Sequence, residues 1–363
     1  MNTIVTFGEI MGRMATPGNL RLRQTREFEV TYAGAEASVA ASVCNFGGNA
    51  RYVTALPKHS IAESAVDSVR AVGIDTSFII RTDEGRLGMY YLEAGANQRP
   101  SNVIYDRADS SVSLLHADQY NWKMIFESAS WFHISGITPA LSKNAAEVSL
   151  YAVQQAQANG VKVSCDLNFR KKLWQWGEKG EDAKELARKT MAEILKYVNV
   201  VIANEEDCAD VCNIHAGDTD VESGHLDTSR YPDVAKQVAA LYPSVEKVAI
   251  TLRESLSASH NNWGAMLYEV ADEKAYFAPL NEDGTYQSYE IKNIVDRVGG
   301  GDSFAGGLIF ALTTDQLKES KVAVQYAVAA SCLKHSIKGD FNFSTRAEVE
   351  SLMGGSASGR VVR

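Results

Sequence analysis

Short apolar runs alternate along the chain with longer segments in which apolar residues recur every three or four positions. The short runs are almost continuously apolar, which is typical of strands buried on both faces of a sheet. The longer segments have the period of amphipathic helices. We predict strands at residues 3–7, 50–55, 131–135, 161–166, 198–203 and 247–252, and helices at 35–46, 61–72, 142–159, 182–197 and 233–242. This alternation predicts an α/β fold with a mostly parallel central sheet between two helical layers.

Residues 11–33 and 86–113 interrupt the alternation. Both segments lack helical periodicity, contain several arginines and carry alternating patterns such as residues 89–92 (MYYL). We therefore predict a small antiparallel β lid that stands off the main body. Because an exposed edge of such a sheet can pair with a second copy, we also expect a homo-oligomer assembled through the lid.

The length of 363 residues, with 45% hydrophobic content, allows one large α/β core. We assign residues 1–353 to a single domain and residues 354–363 to a small-residue tail. Residues 214–230 are polar and include histidines and aspartates, but they lack the tight spacing of metal ligands. This stretch is interpreted as a solvated loop.

Composition excludes several classes of partner. A net charge of −9 argues against binding to nucleic acid or to an anionic membrane, so positive charge for an anionic ligand has to be local. No apolar run approaches the length of a membrane span, and the N-terminus lacks a basic, then apolar leader. The five cysteines are scattered and odd in number, which favours free thiols in a reducing compartment. We expect a cytoplasmic protein.

The most informative motif is the turn at residues 296–307 (DRVGGGDSFAGG), where a strand-like run gives way to a helical one. Gly299, Gly300 and Gly301 leave backbone N–H groups free to converge on an anion, and the helix that begins near Asp302 adds its positive dipole end. A carboxylate in such a cradle can accept a proton from a hydroxyl that attacks a phosphoryl group. The motif indicates a kinase, and a tight backbone corner is the structural alternative.

Two common nucleotide-binding motifs are absent. The residues after the first predicted strand, 8–12 (GEIMG), do not form the G-x-G-x-x-G turn of a nicotinamide-binding fold. The phosphate loop G-x-x-x-x-G-K-[ST] occurs nowhere in the chain. The glycine-rich turn thus belongs to neither of these nucleotide-binding classes.

The order of motifs along the whole chain resembles the ribokinase-like (PfkB) carbohydrate kinases. The motifs are at residues 33–37 (AGAEA), 46–48 (FGG), 72–76 (VGIDT), 166–170 (DLNFR), 204–207 (NEED) and 299–302 (GGGD). Within the family, residues 95–107 and 170–174 look like the branch that acts on 2-keto-3-deoxygluconate. The resemblance implies the ribokinase-like three-layer fold and ATP-dependent phosphorylation of the terminal hydroxyl of that sugar acid.

The resemblance also implies roles for individual residues. Asp302 would be the general base, and the backbone of Gly299 to Gly301 would stabilise charge on the transferred phosphoryl group. Asn204 and Asp207 would organise Mg²⁺ near the phosphates of ATP. The candidates for ATP contacts are Asn204, Thr251, Arg253, Ser255 and Asn342, and a monovalent cation such as K⁺ is a further candidate beside Asp296.

Substrate contacts favour an acidic sugar. Relatives usually carry an aspartate for sugar hydroxyls shortly after the first strand, whereas this chain has Arg13 there. Arg107 and Arg170 have guanidinium groups suited to a carboxylate, and Tyr90 and Tyr105 can orient hydroxyls. Gly34 and Asp340 complete the predicted substrate set.

Two departures weaken parts of this assignment. Asp207 stands where many relatives have glutamate, and Ser38 stands where they have a sugar-binding asparagine. A fructokinase or another PfkB sugar kinase is the nearest alternative. A sugar-acid sensor without catalysis is the alternative from another class, although Asp302 and the three glycines speak against it. The sequence leaves the preferred epimer and the number of subunits open.

Overall fold

The strands and helices of the computed structural model follow the predicted order, and the structure describes residues 2–204, 206–215 and 228–355. The strands are β1 (Thr3–Phe7), β2 (Met11–Ala15), β3 (Glu29–Ala33), β4 (Asn49–Pro57), β5 (Ile79–Thr82), β6 (Gly88–Glu93), β7 (Asn102–Asp106), β8 (Ala129–Ser135), β9 (Lys162–Asp166), β10 (Val200–Asn204), β11 (Lys247–Ser257), β12 (His260–Glu269), β13 (Lys274–Ala278) and β14 (Tyr289–Lys292). The helices are α1 (Ala35–Asn45), α2 (Ser60–Ala71), α3 (Ser111–Leu114), α4 (Trp122–Ile125), α5 (Lys143–Ala158), α6 (Ala183–Leu195), α7 (Asp207–Cys212), α8 (Tyr231–Leu241), α9 (Gly300–Leu312), α10 (Ser320–Lys334) and α11 (Arg346–Met353).

The main sheet has the order β13-β12-β11-β10-β9-β8-β1-β4-β5, and β14 pairs with β12 beside this path. Neighbours from β11 to β5 are parallel, whereas β12 pairs antiparallel with β11, β13 and β14. Parallel neighbours require crossover connections, and helices supply most of these connections. The predicted parallel sheet is confirmed.

Apolar side chains cover both faces of this sheet. On β10, Val201 and Ala203 belong to one buried cluster with α5, α6 and α8, whereas Val200 and Ile202 belong to a second cluster with α1, α9 and α10. Alternate residues of a strand point to opposite faces, so a strand buried on both sides has to be continuously apolar. This requirement explains why the apolar runs located the strands, and it confirms the three-layer arrangement.

The lid is a separate four-stranded sheet with the order β3-β2-β6-β7. The pairs β2–β3 and β6–β7 are antiparallel, and the central pair β2–β6 is parallel. One face packs as a small cluster of Met11, Tyr90 and Leu92 against Val298 of the glycine-rich turn. The lid therefore lies directly over the turn that indicates a kinase.

The prediction stopped too early at β11. It ended this strand at Leu252, but the strand continues to Ser257 and turns into β12, which the prediction missed together with β13 and β14. The residues after Leu252 are mostly polar and mostly exposed, so they do not form an apolar run. A search for buried strands overlooks such an extension.

Further predictions concern the cysteines, membrane spans and two polar segments. None of the five cysteines, all of which lie in the described part of the chain, forms a disulfide, as predicted. Among the described residues, no helix has the length and apolar character needed to cross a membrane. Most of the polar loop predicted at 214–230 and of the tail predicted at 354–363 lies outside the described residues.

Candidate active site

A cavity of about 370 Å³ opens at the carboxyl ends of β9, β10 and β11, between the start of α9 and the lid. Strand ends of a parallel sheet are the usual ligand-binding edge of such folds. Most of the predicted site residues line this cavity: Gly34, Tyr90, Tyr105, Arg107, Arg170, Asn204, Asp207, Thr251, Arg253, Gly299, Gly300, Gly301, Asp302 and Asp340. The structure thus brings together residues that are far apart in sequence.

The glycine-rich turn has a backbone that only glycine adopts easily. Gly299 has a φ of +84°, and a Cβ atom there would lie 2.2 Å from the carbonyl oxygen of Asp340. Helix α9 begins at Gly300, and a Cβ atom on Gly301 would meet no atom within 4 Å. The first N–H groups of α9 have no partner within the helix, so they can bind an anion in the cavity.

Asp302 lies in the first turn of α9 and lines the cavity. Burial and the nearby carboxylate of Asp340 raise the pKa of Asp302 to about 7, although Arg170 opposes the shift. A carboxylate with a pKa near the working pH is a more effective general base than one with an ordinary pKa. Its position and its pKa are those of a proton acceptor beside an anion-binding turn.

Two further carboxylates line the same cavity. Burial and the charges of Asp207 and Asp302 raise the pKa of Asp166 well above its usual range. Burial also raises the pKa of Asp207 to about 6. The sequence located Asp166 at a strand end but gave it no role, because nothing in the pattern shows that three aspartates converge.

Asn204 and Asp207 fix the connection between β10 and α7. The Asn204 side-chain oxygen accepts hydrogen bonds from the N–H groups of Glu206 at 2.8 Å and Asp207 at 2.9 Å. The Asp207 carboxylate accepts from the N–H groups of Asn204 at 3.2 Å and Phe169 at 3.0 Å. Both carboxylate oxygens of Asp207 are thus held by backbone donors, and the described residues contain no cluster of three or more typical metal ligands.

Arg107 enters the cavity from the end of the lid. Its Nε donates to Glu9 at 2.7 Å, and a second guanidinium nitrogen contacts the same carboxylate oxygen. The Tyr105 ring lies 5.3 Å from the Arg107 guanidinium carbon. Glu9 therefore neutralises Arg107, and the sequence analysis missed this partner because the two residues are 98 positions apart.

Arg170 differs from Arg107 in its surroundings. Its side chain is exposed in the cavity and has no hydrogen bond or ion pair with any residue that the structure describes. Its charge acts on Asp166, Asp207 and Asp302, because it lowers the pKa of each of these carboxyl groups. Arg170 thus offers an unpaired guanidinium group close to the candidate base.

Arg13 does not line the cavity. It is 3% exposed and pairs with both Asp296 and Asp340, and the Tyr90 hydroxyl donates to Asp340 at 2.9 Å. The substrate-binding role predicted for Arg13 therefore lacks support in the structure, since its guanidinium group is enclosed between two carboxylates. The sequence showed a basic residue where relatives have an acidic one. It did not show the distant carboxylates that pair with this residue.

The carboxylate oxygens of Asp296 also accept hydrogen bonds from protein groups. One carboxylate oxygen accepts from the N–H of Val298 at 3.1 Å, and the other accepts from Arg13 and from the N–H of Gly339 at 3.1 Å. This is the residue beside which the resemblance implied a monovalent cation. Protein donors therefore reach both carboxylate oxygens of Asp296.

Ser255 and Asn342 lie outside the cavity, in contrast to the predicted ATP contacts. Ser255 is on the exposed extension of β11. Asn342 is completely buried, donates to the Ala330 carbonyl at 3.0 Å and accepts from the Ser344 N–H at 2.9 Å. Its amide holds a backbone turn and is not available to a ligand.

Glu36 is a cavity residue that the sequence analysis did not select. It is 1% exposed, and one carboxylate oxygen accepts hydrogen bonds from the Ser135 N–H, the Ser135 hydroxyl and the Thr138 hydroxyl. Burial raises the pKa of Glu36. An acidic residue in the first turn of an otherwise uncharged helix, two residues after Gly34, was the available signal.

Known proteins share this fold and motif order. The pfkB family of carbohydrate kinases matches residues 1–345, and the chain belongs to this family. A 2-dehydro-3-deoxygalactonokinase from Haloferax volcanii is 31% identical over 356 residues, which cover 98% of each chain. The crystal structure of a 2-dehydro-3-deoxygluconokinase from Thermotoga maritima has a TM-score of 0.88 and 42% identity, covering 98% of this chain and 100% of the other.

A more distant structure supports the fold alone. A ribokinase II from Escherichia coli, solved in complex with ATP and Mg²⁺, has a TM-score of 0.74 at 19% identity, covering 98% of this chain and 100% of the other. The ribokinase-like fold that the motif order implied is therefore confirmed. The protein is a carbohydrate kinase.

Proposed function

We propose that the protein phosphorylates the terminal hydroxyl of 2-keto-3-deoxygluconate with ATP and forms the 6-phosphate. The observation that carries this proposal is Asp302, a carboxyl group with a pKa of about 7 at an anion-binding turn in a cavity lined by arginines. The names of the Haloferax and Thermotoga relatives support a keto-deoxy sugar acid as the substrate class. These two names refer to different epimers, so the proposal covers both the gluconate-derived and the galactonate-derived acid.

In the proposed reaction, the side chains bind and position the two substrates. The Asp302 carboxylate accepts the proton of the terminal hydroxyl as the oxygen attacks phosphorus. The N–H groups at the start of α9, from Gly300 onward, donate to the oxygens of the transferred group. Arg170 adds a positive charge near the same group, where negative charge accumulates during transfer.

The residues around Asp207 fit ATP with a hydrated Mg²⁺. Magnesium usually keeps several waters and binds phosphate oxygens together with few protein carboxylates. Asp207 and Asn204 already accept backbone hydrogen bonds, so they would hold waters of the ion and not its inner coordination sphere. When bound, the ion would neutralise phosphate charge.

The arginines also support an acidic sugar. Glu9 cancels the charge of Arg107 and holds its guanidinium group in place, whereas Arg170 has no counter-ion among the described residues. Tyr105 packs beside Arg107 and lines the cavity. We assign Arg107 and Tyr105 to the orientation of sugar oxygens, and Arg170 to the balance of negative charge on the bound substrates.

The proposal is tested by measuring ADP release with a panel of sugars. The panel contains 2-keto-3-deoxygluconate, its galactonate-derived epimer, fructose and ribose. We expect kcat/KM to be at least about a hundredfold higher for the sugar acids, because a neutral sugar leaves the cationic groups without a carboxylate. A preference for fructose would contradict the proposed substrate. Binding of a sugar acid without ADP release would favour the sensor.

The pH dependence of activity follows from Asp302. Only the deprotonated carboxylate accepts a proton, and the pKa of about 7 keeps the carboxyl largely protonated in acid. We therefore expect kcat/KM to fall as the pH decreases below about 7, by roughly tenfold per pH unit. The measurement is kcat/KM from pH 5 to pH 9 at saturating Mg²⁺. A profile that stays flat down to pH 5 would contradict the raised pKa.

We also propose that two copies associate through the outer face of the lid. Val30 on β3 is 53% exposed and Ile104 on β7 is 48% exposed, although both are apolar and lie on edge strands. The double substitution of Val30 and Ile104 by glutamate is expected to convert a dimer into a monomer, because it places charges in an apolar interface. Sedimentation equilibrium measures the mass. The exposed Ile61→Glu on α2 is the control, and a monomer before substitution would exclude the interface.

A further inference from the structure

A buried serine of α10 forms a hydrogen bond with the start of α9 and not with its own helix. Buried serines inside helices commonly bond the carbonyl four residues earlier on the same helix. Ser42 and Ser149 do so, at distances of 2.9 and 2.7 Å. The Ser331 hydroxyl instead donates to the Gly300 carbonyl at 2.7 Å. It therefore holds the first residue of the helix that carries Asp302.

Ser331 reaches the glycine-rich turn from outside the cavity. It is completely buried and is not among the residues that line the cavity. His335, directly after α10, packs on the same part of the turn, because a Cβ atom on Gly300 would lie 3.0 Å from the Cε1 atom of its ring. The His335 carbonyl accepts from the N–H of Val295 at 2.9 Å, just before the turn. The end of α10 thus holds both the approach to the turn and its first helical residue.

The hydrogen bond from Ser331 fixes the direction of an N–H group as well as that of a carbonyl. A trans peptide is planar, and its C=O and N–H bonds point in opposite directions. The carbonyl of Gly300 and the N–H of Gly301 belong to one such peptide. Gly301 lines the cavity, and a Cβ atom on it would meet no atom within 4 Å. Holding the Gly300 carbonyl therefore also orients the Gly301 N–H, one of the free donors at the start of α9.

The same hydrogen bond strengthens the Gly301 N–H as a donor. A donor on the carbonyl oxygen draws electron density from the peptide, and linked hydrogen bonds strengthen one another by roughly 10–30%. The carbonyl oxygen has two lone pairs, so Gly300 can accept from Ser331 in addition to a helical donor. Because Ser331 is buried, water does not compete for this bond.

We propose that Ser331 is a positioning residue for phosphoryl transfer, since its hydroxyl holds and polarises the peptide whose Gly301 N–H donates to the transferred group. This inference rests on the proposed function, in which the start of α9 stabilises that group. Ser331 touches neither substrate and acts through the peptide alone. A donor aimed at charge that develops in the transition state affects kcat more than it affects the binding of the substrates.

Steady-state ADP release from S331A tests this role with the best sugar acid of the panel. We expect kcat to fall by roughly 5- to 30-fold, which is less than the cost of deleting an anion-binding donor, because the Gly301 N–H remains. KM for ATP and for the sugar acid should change by less than about twofold. S149A removes an equally buried helical serine hydroxyl outside the cavity, so it is the matched control and should leave kcat unchanged.

Calorimetric titration with Mg²⁺, ADP and aluminium fluoride separates this inference from the proposed function. The fluoride complex imitates the phosphoryl group during transfer, so S331A should weaken its binding by about the same factor as kcat falls. The affinity for ADP alone should change by less than about twofold. If this pattern appears but no sugar acid is phosphorylated, the proposed function fails and the role of Ser331 stands. Equal losses of affinity for ADP with and without fluoride would overturn the inference, and so would a kcat equal to that of S149A.

Discussion

The variant D302N is expected to turn over roughly 10²- to 10⁴-fold more slowly than the unmodified enzyme, because it lacks a proton acceptor at the start of α9. Asparagine has nearly the same shape, so the substrates should still bind with constants within about threefold of the original values. Steady-state ADP release gives kcat, and calorimetry gives the two dissociation constants. Near-normal turnover would show that Asp302 is not the base.

The same variant should be more stable at alkaline pH. The pKa of Asp302 is about 7 in the folded protein and about 3.9 in an unfolded chain. A raised pKa means that the folded state holds the proton more tightly, so this contribution to stability is lost as the pH rises through 7. Removing the ionised carboxyl should therefore raise the free energy of unfolding by roughly 1 to 3 kcal/mol at pH 8. The gain should vanish towards pH 4.

Thermal or urea unfolding of D302N at pH 5 and pH 8 measures this difference. S303A is a suitable control, because it changes the next residue of α9, whose hydroxyl is buried and has no hydrogen-bond partner. An equal stability change at both pH values would contradict the raised pKa, even if turnover were lost. Loss of activity together with a gain in stability is the expected signature of a residue kept for chemistry.

The sequence predicted those parts of the fold that depend on local patterns. Strand β1 has its predicted bounds, and α1 ends one residue from its predicted end, because buried strands and amphipathic helices have fixed periods. The extension of β11 and the strand β12 escaped prediction. The extension of β11 is largely polar, and β12 pairs with it along its length although Ala265 to Tyr268 of β12 are buried in the core; pairing does not appear in the periodicity of a single segment.

Prediction of the site was limited in the same way, because local sequence patterns do not show which distant side chains contact each other. The glycine-rich turn was recognisable because its chemistry is contiguous in sequence. The ion pairs of Arg13 could not be recognised, because its partners Asp296 and Asp340 lie 283 and 327 positions away. A guanidinium group suits a substrate carboxylate as well as it suits two structural carboxylates. Only the three-dimensional arrangement decides which of these roles an arginine can have.

Removing Arg13 should therefore cost stability in addition to any effect on the substrate. The variant R13M leaves Asp296 and Asp340 buried, with Lys334 as a cation within electrostatic reach of both. Breaking a buried ion pair by deleting one partner typically costs about 3 to 5 kcal/mol. We expect a loss of that size in the free energy of unfolding at pH 8, measured by urea denaturation.

The lid provides a matched control for this prediction. Arg86 also pairs with an aspartate, Asp106, through two contacts of 2.5 and 2.9 Å, but the Arg86 side chain is 42% exposed. R86M should cost much less than R13M, because water replaces the lost partner. Equal losses in R13M and R86M would mean that the pair with Asp296 and Asp340 is not effectively buried.

The pH dependence of R13M distinguishes a charge effect from a loss of packing. Arg13 lowers the pKa of Asp340, which burial raises, so its removal should let that carboxyl keep its proton at higher pH. A protonated carboxyl needs no counter-ion, and the stability deficit of R13M should therefore shrink as the pH falls from 8 to 5. A deficit that stays constant over this range would assign the loss to packing alone. Because Arg13 is on β2 of the lid and Asp296 precedes the glycine-rich turn, a charge effect would also mean that this ion pair holds the lid against the turn.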